Sequence, residues 1–338
     1  MKSRPQVPVS VSIGDPMPRI TLPLASGGLF DSWHPMMWGL AIVYWLGAPP
    51  EGSVVVQLAD ALSACETLLY LVASALPEVV GGYPASVIDR ARELSRAFGA
   101  NGPLAVVVDA SGRVGALLPA PTPAGVAALA TCFYTASTPA VAQARAPVLL
   151  LERVIEPDLC QVLVEYWQRG DKRANEVATT DGNVTNADVK RRLDVPLVDP
   201  RLLLQVRDRL VRRVMPAIEQ AFQTRIMVIE APLIGCYDAG CGGWFRRHRD
   251  NSSPANAHRQ FAVSINLNGD DAYEGGELRF PEFGRDLYRP VSGGALVFSA
   301  SLVHEVVPVT RGRRIGVFTF LSATAPSVSR SLSPPAKI

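Results

Sequence analysis

The chain has 338 residues, of which 48% are hydrophobic and 19% charged, and its formal net charge is +2 at pH 7. That length suits two domains better than one, and the balanced charge argues against a nucleic-acid-binding protein. The most apolar stretch, Met36–Ala48, is shorter than the roughly 20 residues of a membrane-spanning helix. Because the N-terminus also lacks a signal-peptide pattern, we expect a cytoplasmic protein with neither a membrane nor a nucleic-acid partner.

Residues 8–135 are predicted to form an α/β domain. Two continuous apolar runs, Leu40–Leu46 and Leu104–Val108, predict strands that are buried on both faces. A turn signal at residues 109–112 makes residues 113–118 the hairpin partner of the second strand. The remaining regular segments are predicted to be helices, over residues 55–77, 85–98 and 123–132.

Three features of this first part resemble the thioredoxin-like fold in its peroxiredoxin branch. They are the segment Gly14-Asp15-Pro16-Met17-Pro18, the strand near Val43, and the turn Asp109-x-x-Gly112-x-Val114. The reactive cysteine of that family follows the first central strand, but residues 43–56 contain no cysteine. Cys65 lies inside the predicted helix, where a small buried side chain is more common than a redox centre. The resemblance therefore implies a domain that kept the fold, lost peroxidase activity, and recruits a protein partner or supports the rest of the chain.

The five cysteines form no CxxC pair, and their odd number in a long chain argues against a disulfide framework. Residues 136–146 are small and polar, which predicts a linker. A second domain is predicted over residues 147–325, followed by a tail over residues 326–338.

The second domain is predicted to begin with a strand at Leu149–Val154 and a helix from Pro157 to Gly170. Another helix starts at Asp199-Pro200, and Pro216 is expected to bend its last part. After about residue 226 the apolar residues alternate, most clearly in Phe261–Leu267. Many short strands separated by glycine-rich turns predict a β-sandwich or jelly roll; the further predicted strands are residues 277–280, 295–299 and 315–321.

Two of the four histidines belong to one pattern, His248-Arg-Asp250 followed by His304. Side chains two residues apart in an extended segment point to the same face, so His248 and Asp250 can bind one ion, and His304 can complete the site from a neighbouring strand. Two histidines and one carboxylate with open coordination positions are typical of non-haem Fe(II) oxygenases. Arg314 begins the next apolar strand, and a dicarboxylate cosubstrate is a suitable partner for a buried guanidinium.

Two short basic groups, Lys190-Arg191-Arg192 and Arg246-Arg247, are predicted to be solvated loops. Three polar residues in the long loop after the metal motif leave two interpretations open, contact with a substrate or simple exposure to solvent. These residues are Asn251, His258 and Arg259.

Three segments of the second domain look like the prolyl 4-hydroxylase-like branch of the Fe(II)/2-oxoglutarate dioxygenases. They are Tyr237-Asp-Ala-Gly-Cys-Gly-Gly-Trp-Phe-Arg-Arg-His248-Arg-Asp250, Gly275-Gly276-Glu-Leu-Arg-Phe-Pro281 and His304-Glu-Val-Val-Pro308-Val-Thr-Arg-Gly312-Arg-Arg314. The resemblance implies a double-stranded β-helix (a jelly roll) with flanking helices.

By position, the resemblance implies that His248, Asp250 and His304 bind Fe(II), and that Arg314 and Tyr237 bind the distal carboxylate of 2-oxoglutarate. The implied reaction consumes dioxygen, hydroxylates a C–H bond and releases succinate and CO2, with ascorbate as a possible reductant. The implied substrate is a small molecule or a peptide, such as a prolyl residue or a free amino acid.

Three residues depart from the family pattern. Arg314 stands where many prolyl hydroxylases of this branch carry lysine, Asn266 where some relatives have a cosubstrate-binding tyrosine, and Gly316 where others have a small hydroxyl residue. Three other functions stay open, namely a thiol redox protein that acts through the first domain, a non-catalytic jelly-roll binding module and a zinc hydrolase.

Overall fold

The computed structural model describes residues 10–34, 37, 40–75, 85–133, 145–174, 177–179, 182–184 and 189–323. The chain divides into two compact units, Met1–Ala140 and Val141–Ile338. Most of the predicted linker, and the whole predicted tail, lie outside the described residues, so the predicted domain boundaries stay a prediction. None of the described helices is long and apolar enough to cross a membrane.

The first unit is an α/β structure around a mixed five-stranded sheet. Its strand order is β5-β4-β3-β6-β7, in which β3, β4 and β5 are parallel, while β6 and β7 run antiparallel to their neighbours. Strands β1 and β2 pair separately. The strands are β1 (Thr21–Pro23), β2 (Leu29–Asp31), β3 (Ala41–Leu46), β4 (Thr67–Ala73), β5 (Ser86–Ile88), β6 (Leu104–Val108) and β7 (Val114–Pro119), and the helices are α1 (Gly52–Ser63), α2 (Glu93–Ala97) and α3 (Pro123–Thr131).

Each face of this sheet has its own apolar core. Strand β3 is buried along its whole length, as its continuous apolar run predicted. Val43 and Trp45 pack with buried residues of α1 and α3 on one face. Ile42, Tyr44 and Leu46 pack on the other face, together with the region around α2. The alternation of side chains along β3 thus places apolar groups in both layers.

The predicted helix over residues 55–77 is wrong in its second half. Helix α1 ends at Ser63, and Thr67–Ala73 forms β4, which pairs in parallel with β3. Glu66, with a φ of 49°, lies in the left-handed region between them. A short apolar run is compatible with either a helix or a strand. Residues 67–73 form a strand because they can pair with the open edge of β3. Cys65 therefore lies half-buried in the turn after α1.

The predicted helix over residues 85–98 is also too long. Residues 86–88 form β5 at the sheet edge, and only residues 93–97 are helical. The carboxylate of Asp89 accepts hydrogen bonds from the backbone N–H groups of Glu93 and Leu94, at 2.7 and 3.0 Å. These bonds satisfy N–H groups that have no partner within the helix and so fix where it begins.

The described part of the second unit contains two main antiparallel sheets and a separate antiparallel pair, β10–β11. The larger sheet has the order β8-β21-β17-β23-β15-β13-β9, with β14 and β18 also paired to β23, and the smaller sheet has the order β12-β16-β22-β19-β20. The strands are β8 (Val148–Leu151), β9 (Arg173–Ala174), β10 (Val177–Thr179), β11 (Gly182–Val184), β12 (Lys190–Arg191), β13 (Leu193–Pro196), β14 (Val228–Ile229), β15 (Leu233–Asp238), β16 (Trp244–His248), β17 (Phe261–Asn266), β18 (Tyr273–Gly275), β19 (Leu278–Arg279), β20 (Leu287–Tyr288), β21 (Ala295–Ser299), β22 (His304–Val306) and β23 (Val309–Ser322).

From β15 onward the chain alternates between the two sheets, as in a jelly roll. Strands β15, β17, β21 and β23 belong to the larger sheet, whereas β16, β19 and β22 belong to the smaller one. An apolar core lies between them, to which Tyr237 and Phe298 contribute from the larger sheet and Phe280 and Val306 from the side of the smaller one. The predicted sandwich of short strands is confirmed as a mostly β structure.

Helices cover the outer face of the larger sheet. They are α4 (Pro157–Arg169), α5 (Pro200–Arg209) and α6 (Met215–Phe222), and a π-helical turn, Leu210–Val214, joins α5 to α6. Asp199 caps α5 by accepting hydrogen bonds from the N–H groups of Arg201 and Leu202. The π-helical turn ends two residues before Pro216. The sequence predicts a bend there because a proline inside a helix removes one backbone hydrogen bond.

A pair of leucines tests how strongly this helix layer stabilises the second unit. Leu210 is fully buried against the sheet, whereas Leu204 on α5 is 70% exposed. We expect Leu210→Ala to lower the free energy of unfolding by about 2–5 kcal/mol because it leaves a cavity. The control Leu204→Ala changes it by less than about 0.5 kcal/mol. Urea unfolding followed by tryptophan fluorescence measures both, and equal effects would contradict the packing described.

Candidate active site

The His-x-Asp motif and His304 come together at the edge of the sandwich interior. His248 ends β16 and His304 begins β22, and the two are cross-strand partners in the smaller sheet. The backbone N–H of Asp250 donates to the carbonyl of Ala300 at 2.9 Å, which ties the motif to the segment before His304. One ligand atom from each of the three side chains lies within 4.8 Å of the others. His304 is far from His248 and Asp250 in the sequence, but the three side chains form one compact cluster.

Backbone carbonyls select the tautomer of both histidines. The Nδ1–H of His248 donates to the carbonyl of Arg246 at 2.7 Å, and the Nδ1–H of His304 donates to the carbonyl of Leu302 at 3.0 Å. A carbonyl only accepts, so Nδ1 carries the proton and Nε2 is left with its lone pair free. This second hydrogen bond is what commonly orients a metal-binding histidine.

The free nitrogens point toward the carboxylate of Asp250. Each Nε2 lies 3.4 Å from one oxygen of that carboxylate. The Nε2 of His248 is buried and has no hydrogen-bond partner among the described residues. A buried nitrogen without a partner is costly, and a metal ion bound between the three groups would satisfy it. The donor set, two imidazoles and one carboxylate, fits Fe(II).

The electrostatics of the cluster keep Asp250 and His304 in the forms that bind metal. Burial by itself raises the pKa of Asp250, but the neighbouring His304 and His248 outweigh it and hold the pKa at about 2. Burial lowers the pKa of His304 to about 4, although the Asp250 carboxylate opposes that shift. Near neutral pH the carboxylate is therefore ionised and the His304 imidazole is neutral.

Arg314 is a fully buried cation without an acidic partner in the described part of the chain. It lies on β23, only 1% exposed, and donates to the carbonyl of Gly276 at 2.7 Å and to the hydroxyl of Ser264 at 2.9 Å. Its Nε has no hydrogen-bond partner among the described residues. Burial lowers the pKa of this guanidinium. An anion placed beside Arg314 would offset that cost.

A glycine makes room for this arginine. Gly276 has a φ of +75°, and a Cβ atom there would lie 2.8 Å from Cγ2 of Val309 and 3.1 Å from Cδ of Arg314. The position therefore requires glycine both for its left-handed backbone and for its close approach to β23. This explains why the Gly275-Gly276 pair accompanies Arg314 in the sequence.

Tyr237 lies beside Arg314, with its ring centroid 5.8 Å from the guanidinium carbon. It is fully buried, and Nη1 of Arg192 approaches its hydroxyl at 3.5 Å. Burial raises the pKa of Tyr237, so its hydroxyl keeps its proton and can donate. Arg192 is itself paired with Asp194 through two hydrogen bonds, at 2.6 and 2.9 Å.

A cavity of about 340 Å³ joins these groups. The three-residue cluster lies on its wall together with Tyr237 and Ser264, and Arg314 lies directly behind Ser264. A volume of this size is within the range of small-molecule sites. The predicted metal ligands and Tyr237 thus border one space, and Arg314 lies outside its lining, bonded to Ser264.

The prediction of a solvated loop is wrong for two members of the group Lys190-Arg191-Arg192. Lys190 and Arg191 form β12, and the side chains of Lys190 and Arg192 both line the cavity. Arg191 between them is exposed. The three basic residues are consecutive in the sequence, and an extended segment places the first and third of them on one face. Only the pairing of β12 with β16 shows that this face is the inner one.

The three polar residues of the loop after the motif differ in their surroundings, and whether any of them contacts a substrate stays a prediction. His258 and Arg259 both contact the carboxylate of Glu230, and Arg259 also lines the cavity, with its guanidinium 3.7 Å from the ring centroid of Phe320. Asn251 donates to the hydroxyl of Ser301 at 2.7 Å, away from the cavity wall. Of these three residues, Arg259 is therefore the one that lines the cavity.

The structure accounts for two of the departures from the family pattern. Asn266 is fully buried and donates to the hydroxyl of Tyr273 at 2.7 Å, which makes it part of the core beside the site. A Cβ atom at Gly316 would lie 2.7 Å from the carbonyl of Ile265 on the neighbouring strand, so no hydroxyl side chain fits there.

Protonation of His304 provides a test of this geometry in the metal-free protein. The imidazole has a pKa of about 4 in the folded chain, below its ordinary value of 6.5. Between those pH values the unfolded chain takes up a proton that the folded chain does not, so the free energy of unfolding falls as the pH decreases. His304→Gln removes this contribution, which amounts to about 3 kcal/mol over the whole range.

Urea titrations between pH 7 and 4.5, with a metal chelator present, measure the two proteins side by side. Parallel stability curves would contradict the burial of a neutral imidazole at this position.

Comparisons with known proteins agree with the chemistry of the cluster. Residues 233–322 match the sequence model of the 2OG-Fe(II) oxygenase superfamily. A PKHD-type hydroxylase of Saccharophagus degradans is 28% identical over 156 residues, which are 42% of this chain and 67% of that protein. A PKHD-type hydroxylase of Pseudomonas fluorescens is 34% identical over 94 residues, which are 26% of this chain and 41% of that protein.

Solved structures provide similar but more distant matches. A prolyl hydroxylase from Trichoplax adhaerens, in complex with a hypoxia inducible factor peptide, is 18% identical, with a TM-score of 0.43 over 52% of this chain and 83% of that one. A Pseudomonas putida prolyl-4-hydroxylase is 18% identical, with a TM-score of 0.40 over 53% of this chain and 94% of that one. By sequence, residues 233–322 match a 2OG-Fe(II) oxygenase domain, and the similarity to hydroxylases supports an oxidoreductase enzyme.

Proposed function

We propose that the second unit is a dioxygenase that binds Fe(II) through His248, Asp250 and His304 and hydroxylates a C–H bond of its substrate. The observation that carries this proposal is the unpartnered, buried Nε2 of His248, which faces the Asp250 carboxylate at 3.4 Å. Both imidazoles present a lone pair to the same point because backbone carbonyls hold the opposite nitrogens. A hydroxylase needs such a preformed site with open positions for cosubstrate and dioxygen.

We propose that Arg314 and Tyr237 bind the distal carboxylate of 2-oxoglutarate. A fully buried guanidinium with a free Nε and no described acidic partner supports this role. The protonated hydroxyl of Tyr237 lies on the cavity wall and is a second donor to the same carboxylate. Ser264 keeps the guanidinium oriented by accepting one of its hydrogen bonds.

When bound, iron and 2-oxoglutarate would activate dioxygen, of which one oxygen atom enters succinate as CO2 is released and the other enters the substrate C–H bond. The protein residues supply geometry. Asp250 and the two imidazoles fix the metal position, Arg314 fixes the far end of the cosubstrate, and the apolar cavity wall around Phe298 and Phe318 limits the access of water. Ascorbate is proposed as the reductant that keeps the iron ferrous.

We propose a prolyl residue or an amino acid as the substrate. The resemblance of the three sequence segments to prolyl 4-hydroxylase-like enzymes supports this class, as do the hydroxylases among the relatives. The cavity of about 340 Å³ is large enough for a cosubstrate and a group of side-chain size. The proposed location of the protein is the cytoplasm.

For residues 8–135 we propose a thioredoxin-like domain of the peroxiredoxin branch that lacks its reactive cysteine. Strand β3, helix α1 and the parallel strand β4, followed by the antiparallel hairpin β6–β7 and helix α3, support this assignment. No cysteine follows β3 before residue 65, and Cys65 comes after α1 rather than at its start. The proposed role of the domain is to bind a protein partner or to support residues 147–325.

A succinate-release assay with Fe(II) and 2-oxoglutarate tests the metal ligands. We expect His304→Ala and Asp250→Ala to lower the rate and the affinity for Mn(II) at least about 100-fold, because even an outer-shell partner of a ligand contributes 10–100-fold. His34→Ala, in the first unit, is the control and should leave both unchanged. Full Mn(II) affinity in the two ligand variants would exclude the proposed site.

Two adjacent arginines provide a matched test of cosubstrate binding. Arg314 is buried, whereas the side chain of Arg313 is 61% exposed and paired with Asp238. We expect Arg314→Met to raise the Kd for 2-oxoglutarate at least about 30-fold, since loss of one partner of a buried charge pair costs about 2 kcal/mol or more. Arg313→Met should change it less than twofold.

Calorimetry with the Mn(II)-loaded protein measures these Kd values. Arg314→Lys keeps the positive charge and should recover part of the affinity, which separates a binding effect from a folding defect. Equal Kd values for the Arg313 and Arg314 variants would refute the assignment.

A further inference from the structure

The charged groups around the cavity are not balanced. Three of its basic side chains have acidic partners. Arg192 pairs with Asp194, Arg249 with Glu282, and Arg259 with Glu230, each at 2.9 Å or less. Lys190 is the remaining basic residue on the wall, and it forms no ion pair or hydrogen bond with a described residue.

Lys190 stands next to the three-residue cluster. Its strand pairs with β16 so that Lys190 faces Phe245, and Phe245 faces Val306 of β22. The ammonium lies 4.6 Å from the centroid of the Phe245 ring, and that ring stacks on the imidazole of His248 at a centroid distance of 3.5 Å. Lys190 is therefore one aromatic ring away from a proposed metal ligand.

Like Asp194, the nearby carboxylate of Asp250 favours the ammonium form of Lys190, but from beyond ion-pair distance. It forms no ion pair with the lysine and is held between the two imidazoles at 3.4 Å from each. When a divalent cation binds there, the Asp250 carboxylate belongs to that ion and the surroundings of Lys190 become more positive. Burial lowers the pKa of Lys190, and an anion beside the ammonium would stabilise its charged form.

A second cation without an acidic partner, Arg314, lies elsewhere. It belongs to β23 of the larger sheet, behind Ser264, whereas Lys190 belongs to β12 at the edge of the smaller sheet. Two such cations on different sheets call for two separate anionic groups. In the proposed function one carboxylate of 2-oxoglutarate binds Arg314, and the other, together with the keto group, would bind the metal. The anion beside Lys190 therefore comes from another molecule.

We propose that Lys190 binds a carboxylate of the substrate, so that the substrate class consists of organic acids, either a free amino-acid derivative or a peptide with an acidic side chain. This inference rests on the proposed function. The cation–π contact with Phe245 holds the ammonium in place, and an ammonium–carboxylate contact in this position orients the substrate above the metal ligands. Lys190 is thus a specificity-determining residue.

Binding of matched acids and amides tests the proposal. The protein is loaded with Mn(II) in place of iron, so that no turnover occurs, and is saturated with 2-oxoglutarate. Calorimetry then gives the Kd of each probe. One set of probes consists of N-acetyl amino acids, each as the free acid and as the primary amide. The other consists of blocked dipeptides that differ by Asp against Asn or Glu against Gln. The first set reports an α-carboxylate, and the second reports a side-chain carboxylate.

We expect at least one pair in which the wild-type protein binds the acid about 10-fold more tightly than the amide, the size typical of a hydrogen bond to a charged group. Lys190→Met should reduce that ratio to less than about twofold. Lys172→Met, a lysine outside the cavity lining, is the control and should keep the full ratio. Lys190→Arg keeps the charge and should retain the preference, which separates loss of charge from loss of folding.

Three outcomes would overturn the inference. The wild-type protein shows no preference for the acid in any pair, the preference survives in Lys190→Met, or Lys190→Met instead weakens 2-oxoglutarate binding more than 10-fold, which would assign Lys190 to the cosubstrate. Failure of the proposed function has a different signature, because the wild-type protein then does not bind 2-oxoglutarate at all.

Discussion

The pairing of β16 with β22 is the constraint on which the site depends. It makes His248 and His304 direct partners on neighbouring strands, and the carbonyls two residues before each histidine hold its Nδ1–H. Ladder geometry fixes where the rings are, and the carbonyls fix which nitrogen faces inward. The Asp250 carboxylate then meets both free nitrogens at the same distance. A sheet restricts its side chains to two faces, so a modest number of backbone bonds is enough to position three ligands.

The other charged side chains around the cavity differ in whether an acidic group pairs with them. Most basic side chains near it have a carboxylate of their own, which neutralises them and holds them rigid. Lys190 and Arg314 differ because no described acidic group neutralises them, and they approach the cavity from different sheets. Buried cations without partners are unfavourable in the free protein. The free-energy cost of these two cations is offset when anionic ligands bind beside them. The unpaired positive charges of the empty site are therefore the physical basis for the proposed recognition of anionic ligands.

The two units of the chain illustrate how fold and function separate. The first unit has a parallel β–α–β element followed by an antiparallel hairpin, but the segment after its central strand has no nucleophilic sulfur. The second unit concentrates the chemistry in residues 233–322, which are the part that matches the oxygenase superfamily. Its helices pack on the outer face of the larger sheet and leave the inner face to the cavity. The outer face of the larger sheet therefore packs against helices and contributes stability, whereas its inner face lines the proposed site.

The sequence alone determined the local features whose cause is local. Continuous apolar runs specified β3 and β6, the cap at Asp199 fixed the start of α5, and the order of histidine, aspartate and arginine residues identified the oxygenase domain. It did not determine features that depend on a distant neighbour. The run Thr67–Ala73 becomes a strand because β3 offers it an edge, and Lys190 faces the cavity because β12 pairs with β16. Hydrophobicity and charge describe a residue by itself, whereas burial, pairing and charge balance exist only once remote segments meet, and tertiary structure alone decides them.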